Sequence, residues 1–182
     1  DHRPDLKQLV WILTISADGA VPVHFKVADG NTEDTTTHQE TWDVLRRLVG
    51  SSRFLYVADS KLCTRGYLKH IDGQGGRFIT VLPRTWKEDT LFKDWIQSNT
   101  PKWDEVARKP HPRLKNGPPD IFCAVPSPNP DPDGFRVVWY KSTHKMERDA
   151  EARGNALQLA AKALDQIRAR LEGPRPRWRS QA

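Results

Sequence analysis

Asp59 closes the apolar run Phe54-Leu55-Tyr56-Val57-Ala58. The run is short and rich in β-branched and aromatic residues, so it reads as a buried strand rather than a helix. A carboxylate at the last residue of such a strand is held rigidly at the rim of a sheet. That is the geometry in which carboxylates hold divalent metal against a phosphodiester. The same pattern has a plainer use, because strands of α/β proteins often end in Asp to cap the helix that follows. Other chemistry is thinner. Gly73-Gln74-Gly75-Gly76 lacks the Lys-Ser/Thr of a phosphate loop and reads as a turn. The six histidines are scattered, and none sits near a Ser or Cys in a nucleophile setting. Cys63 and Cys123 lie far apart without CxxC pairing or matching His spacing, which argues against structural zinc. Two free thiols fit a reducing cytoplasm.

The elements that must position Asp59 can be read around it. Leu9-Val10-Trp11-Ile12-Leu13-Thr14-Ile15-Ser16 is a continuous apolar strand, and Asp18-Gly19 supplies a hairpin turn. Val21, Val23, Phe25 and Val27 then alternate with Pro22, His24, Lys26 and Ala28, the period of a half-exposed antiparallel strand. Asn31 to Asp34 form a polar, turn-prone link into a helix. Along that helix Trp42, Leu45, Leu48 and Val49 recur at helical spacing until Gly50 stops it. After the Asp59 strand come a short helix through Tyr67, Leu68 and Ile71 and a further strand over Phe78-Ile79-Thr80-Val81-Leu82. The order is hairpin, helix, strand, helix, strand. It equals a ribonuclease H-like α/β mixed sheet with flanking helices and its first strand missing.

The stretch from His2-Arg3-Pro4-Asp5-Leu6 through Gly30-Asn31-Thr32 to Val57-Ala58-Asp59 resembles the central part of bacterial insertion-sequence DDE transposases. The resemblance covers residues 1–98 and continues less sharply through residues 135–172. It implies a ribonuclease H-like catalytic domain that cuts and rejoins DNA at transposon ends with two Mg²⁺ (or Mn²⁺) ions. Three carboxylates, two Asp and one Glu, converge on those ions in the family. Asp59 matches the second and would be catalytic and a direct metal ligand. The first would lie on a strand ending before Asp1, and the third on a later helix. Some families set that Glu in a helix with Tyr seven residues before it, Arg four before and Lys seven after. Tyr140 and Glu147 fit this pattern, but Thr143 and Gly154 stand at the Arg and Lys positions, so Glu147 is a weak candidate. The third carboxylate is then expected beyond Ala182. His2 and Arg3 would reach the site rim or a DNA phosphate, or form a solvated loop, and Asn31 and Thr32 would shape the loop into the first helix.

Composition agrees with a DNA partner. Lys plus Arg number 29 against 23 acids. Residues 1–60 carry 6 basic and 9 acidic groups, residues 61–140 carry 13 and 9, and residues 141–182 carry 10 and 5. Basic charge therefore rises toward Arg168, Arg170, Arg175, Arg177 and Arg179, which surround Trp178; such a patch attracts phosphate. A solvated helix face with a disordered tail has the same composition. No apolar run approaches the roughly 20 residues that span a bilayer, so a cytoplasmic protein with no membrane partner is expected. The resemblance leaves room for a homodimer in the intact protein.

Residues 99–134 are a different kind of chain, and 99–142 read as the start of an insertion. Nine of the 14 prolines fall between Pro101 and Pro132. Pro-Asn-Pro-Asp-Pro-Asp-Gly reads as a turn-rich connector. Ile121–Val125 and Phe135–Tyr140 flank it as strands able to pair. This is either the β-rich insertion that in the family separates the second Asp from the Glu, or a surface excursion. From Lys145 to Glu172 Leu157, Ala161, Leu164, Ile167 and Leu171 recur at spacings of 3 and 4, a helix near 40 Å long that Gly173-Pro174 ends. One side of it could pack on the core with the basic side toward DNA; more often such a helix is only a scaffold or an antiparallel hairpin partner. The domains are thus 1–98, a partial catalytic domain; 99–142, the insertion; 143–173, the long helix; and 174–182, a basic tail.

Beginning at Asp1 with Met146 as its only methionine, the chain reads as an internal fragment. A catalytically inactive transposase remnant that at most binds DNA, and a ribonuclease H-like nuclease, remain as alternatives. Without its first strand the sheet would expose unpaired edges. The isolated polypeptide is therefore expected to be poorly soluble or partly molten. Calorimetry checks this: a broad transition is predicted, and a sharp cooperative melt of the monomer contradicts it.

Overall fold

The computed structural model describes residues 7–32, 37–111 and 114–172. The readings placed on His2, Arg3, Glu33, Asp34 and the basic tail lie outside them. Within these residues the fold is mixed α/β, with three small sheets and four helices. The chain divides into two compact units, Asp1–Thr90 and Leu91–Ala182.

The first unit opens with β1 (Leu9–Ile15) and β2 (Pro22–Asp29), an antiparallel hairpin in the register Trp11↔Val27 and Leu13↔Phe25. Its turn is closed by the Ser16 N–H donating to the Val21 carbonyl at 2.9 Å. Helix α1 (Thr37–Val49) follows and ends at Gly50, whose φ of +69° is the left-handed cap that glycine adopts without a Cβ clash. Next come β3 (Leu55–Val57), α2 (Arg65–Gly73) and β4 (Arg77–Ile79). β3 and β4 pair in parallel, Tyr56 opposite Phe78, so α2 is a crossover helix. Thr64 caps α2, its hydroxyl accepting from the Tyr67 N–H at 3.4 Å.

Trp42 is fully buried at the centre of this unit. Its ring lies 6.0 Å from Phe54, before β3, and 5.8 Å from His70 of α2, edge-on. Leu45, Leu62, Leu68 and Ile71 complete the core. Gly76 enters β4 so close to Trp42 that a Cβ there would lie 2.6 Å from the Trp42 Cζ2 and 2.7 Å from the Ile71 Cγ2. His70 Nε2 stands 3.0 Å from the Asp43 Oδ1, a second tie between α1 and α2.

Two expectations need correction here. The hairpin's alternation is present, but its apolar side faces out: Trp11 is 61% and Phe25 62% exposed, stacked at 5.3 Å, while His24, Lys26 and Ala28 are half-buried. No described residue covers that face, and β1 pairs only with β2, β3 only with β4. Leu48 and Val49, at the end of α1, are likewise exposed. The strands around Asp59 are also shorter than their apolar runs, three residues each, because only that length finds backbone partners.

In the second unit the Pro-rich stretch builds a small sheet, with Pro-Asn-Pro-Asp-Pro-Asp-Gly in the loop between its last two strands. β5 (Asp104–Lys109), β6 (Asp120–Pro126) and β7 (Val138–Ser142) pair antiparallel in that order. The β6–β7 pairing was legible; β5 was not. Asp131 holds the intervening loop, its buried Oδ1 accepting from the Asp133 N–H at 2.9 Å. From α3 (Lys87–Ser98), a helix the sequence reading passed over, Phe92 stacks on Trp139 of β7 at 4.2 Å. Helix α4 (Thr143–Glu172) starts where Asp120 Oδ1 accepts from the His144 N–H at 2.9 Å. None of its 30 residues is buried.

Overpacking a well-filled contact costs about 1–3 kcal/mol, and Gly76→Ala is predicted to destabilise the first unit by that amount in urea unfolding. Gly66→Ala, where a Cβ meets nothing within 4 Å, is predicted to be neutral or to stabilise by less than about 1 kcal/mol.

Candidate functional site

Asp59 lies two residues past the carboxyl end of β3, and its side chain is 73% exposed. The parallel pairing continues as far as the Ala58 N–H, which donates to the Ile79 carbonyl at 3.1 Å. Beyond it the backbone turns. Asp59 Oδ1 accepts from the Lys61 N–H at 2.9 Å, and the Asp59 carbonyl accepts from the Leu62 N–H at 3.3 Å and the Thr80 hydroxyl at 2.5 Å. Thr80 follows β4, so both parallel strands fix the turn. The capping alternative is thereby sorted out: Thr64 caps α2, and Asp59 closes a local turn ahead of it.

Two side chains back the carboxylate. His38, in the first turn of α1, places Nε2 4.0 Å from the Asp59 Oδ1 and Nδ1 3.1 Å from the Tyr56 hydroxyl. Tyr56 is the middle residue of β3 and is buried. Burial, and after it the nearby Asp59 charge, push the Tyr56 phenol up to about 12. Across the neutral range the phenol keeps its proton, and its contact with Nδ1 orients the imidazole so that Nε2 faces Asp59. Sequence reasoning missed His38 because 21 positions separate it from Asp59 with no local pattern. Its only signal was a histidine opening a helix whose buried face holds Trp42.

As a metal centre this arrangement is incomplete. Mg²⁺ wants near-octahedral oxygen donors, and Asp59 and His38 offer one carboxylate and one imidazole. Among the described residues no group of three or more His, Cys, Asp or Glu side chains could hold a metal ion. Glu147 is on α4 in the second unit, exposed. Asn31 and Thr32 form the turn after β2, where the Thr32 N–H donates to the Asp29 carbonyl at 2.8 Å. Gly73 to Gly76 make the turn expected, with Gly75 at φ +71°. A concavity of about 260 Å³ lined by Arg46, Arg47, Gly50, Ser51 and Ser52 lies at the end of α1 away from His38. Cys63 is buried and Cys123 half-buried, both as free thiols. Among the described residues no helix is long and apolar enough to cross a membrane.

No family model, curated protein or solved structure matches the chain.

Folding raises the Tyr56 pKa above the ordinary value of about 10, so its contribution to stability is complete below pH ~10 and is lost as pH rises through the folded value. In a tyrosinate absorbance titration, one of the three tyrosines should ionise near 12. Asp59→Asn should lower that late step without bringing it to the ordinary value, since burial is the larger cause. A titration with no late step near 12 would contradict the arrangement.

Proposed function

We propose that the chain corresponds to the central part of a ribonuclease H-like DNA transposase, with Asp59 as one of its metal-binding carboxylates. The observation that carries this reading is an exposed carboxylate just beyond the carboxyl end of a parallel strand, in a unit ordered hairpin, helix, strand, helix, strand. In open α/β sheets ligands meet the protein outside the carboxyl ends of the strands. The two-strand anchoring of the Asp59 backbone supports a role that needs a fixed carboxylate. The three-motif resemblance supplies the reaction class, metal-dependent cleavage and joining of DNA strands.

Asp59 fits such a centre as a single hard oxygen donor, the kind Mg²⁺ or Mn²⁺ prefers over zinc-type ligation. When bound, the ions would supply activation of a water or 3′-hydroxyl and stabilisation of the leaving oxygen. The other carboxylates of a triad are not among the residues gathered around Asp59, so the chain's own part is limited to holding this one donor. Leu62 and Thr80 hold its backbone carbonyl, the Lys61 N–H donates to its Oδ1, and His38, braced by Tyr56, flanks its side chain. A DNA partner is supported by the excess of basic residues after position 60, and a cytoplasmic setting follows from that partner.

A second reading is a remnant that binds DNA without cutting it, or a nuclease of the same fold class. The remnant shares every described residue and differs only in whether the other carboxylates of the triad exist. In the intact protein, Asp59→Ala should reduce strand cleavage below detection and leave binding of inverted-repeat ends within about twofold, because an unpaired carboxylate adds nothing to phosphate affinity. Cleavage retained by that variant would sink the assignment. An intact protein that binds ends but never cleaves would establish the remnant.

A further inference from the structure

Helix α4 carries a row of apolar side chains that its own unit leaves in solvent. Leu157 is 72% exposed, Leu164 65%, Ile167 48% and Leu171 48%, and Ala160 completes the row. The spacing from Leu157 to Leu171 alternates three and four residues, the repeat of a two-helix seam. Continued toward the N-terminus, the same repeat passes through Arg153, Ala150 and Met146, which is 52% exposed. A helix of 30 residues projects about 45 Å, and no residue of it is buried. Such a seam is complete only against another helix.

We infer that the occupant is α4 of a second copy of this chain, paired antiparallel. The antiparallel register that opposes the seam positions sets Leu157 against Ala160, Ile167 against Ala150, and Leu171 against Met146 of the second copy. Large side chains then face small ones in the middle layers, as close packing requires. Arg153 meets Leu164, where its aliphatic stem packs and its guanidinium reaches solvent. That single register also fixes the flanking pairs. Glu147 faces the second copy's Arg168, and Asp149 faces its Arg170, each twice by symmetry. Near the dyad the flanks are Gly154 with Ala161 and Ala156 with Ala163, small enough for the helices to approach closely. A parallel pairing has none of this: it buries Arg153 against Arg153 and opposes no acidic flank to a basic one. Within one copy Asp149 pairs with Lys145, and Arg168 with Glu172 at 2.7 Å. These are exposed pairs of little individual worth, and they can be shared with the second copy.

Sedimentation equilibrium of the full chain tests this, with Trp11→Lys and Phe25→Lys present throughout to take the hairpin's apolar face out of competition. A mass of twice 20.8 kDa is expected. Leu157→Glu with Leu164→Glu should return the single-chain mass with helical circular dichroism retained. Glu147→Arg with Asp149→Arg should weaken the dimer by about tenfold or more, since like charges then face each other. Adding Arg168→Glu and Arg170→Glu to that variant should restore it. A chain that stays monomeric, including one that instead binds duplex DNA through α4, overturns the inference. Failure of the four-residue charge reversal to restore the dimer also overturns it, because a parallel or unregistered association is then responsible.

Discussion

The burial of Trp42 is the constraint on which the first unit depends. Its indole touches what precedes β3, the middle of α2 and the glycine that enters β4. Burying a side chain of that size is the largest single hydrophobic term available to so small a core. It also dictates geometry. Gly76 suits its place because a Cβ there would meet the Trp42 ring at 2.6 Å and force it or Ile71 to shift. The parallel pairing of β3 and β4 therefore follows from an aromatic contact as much as from backbone hydrogen bonds, which in three-residue strands are few. The Trp42 Nε1 is buried without a hydrogen-bond partner among the described residues, a cost accepted for that packing.

From this constraint the placement of Asp59 follows step by step. Trp42 sets α1 against α2 and β3; α1 then brings His38 to the end of β3, where Tyr56 and Asp59 lie on either side of the imidazole. The βαβ crossover puts Thr80 beside the Asp59 carbonyl. A carboxylate held by two strands and flanked by a braced imidazole is a rigid donor directed at solvent. It is not the cap of α2, a role Thr64 takes; its Oδ1 is held by the Lys61 N–H of its own turn.

Much of this was legible in the sequence, for reasons that differ by element. β1, β2, α1, α2 and the β6–β7 pairing announced themselves through hydrophobic period and through stop signals such as Gly50 and Gly73. β5 did not, because Asp104 to Lys109 is an edge strand exposed on both sides, held by its pairing with β6 and by an ion pair between Arg108 and Glu105 at 3.0 Å. α3 carried a usable signal, Leu91, Phe92, Trp95 and Ile96 at helical spacing behind Glu88 and Asp89. Period gave the faces of the hairpin and of α4 but could not say what covers them. Asp59 was legible from its strand; its contact with His38 was not, because tertiary packing alone makes neighbours of residues so far apart in sequence.

The central claim is that Asp59 is a metal-binding position. Iron-directed hydroxyl-radical cleavage tests it most directly: the intact protein, with the other carboxylates present, is incubated with Fe²⁺, ascorbate and peroxide, and backbone cuts are mapped by mass spectrometry. The account predicts cuts clustered at residues 59–62 and near Thr80 that Mg²⁺ competes away and that vanish in Asp59→Asn. Cuts centred elsewhere, or a pattern that Asp59→Asn leaves unchanged, would contradict it.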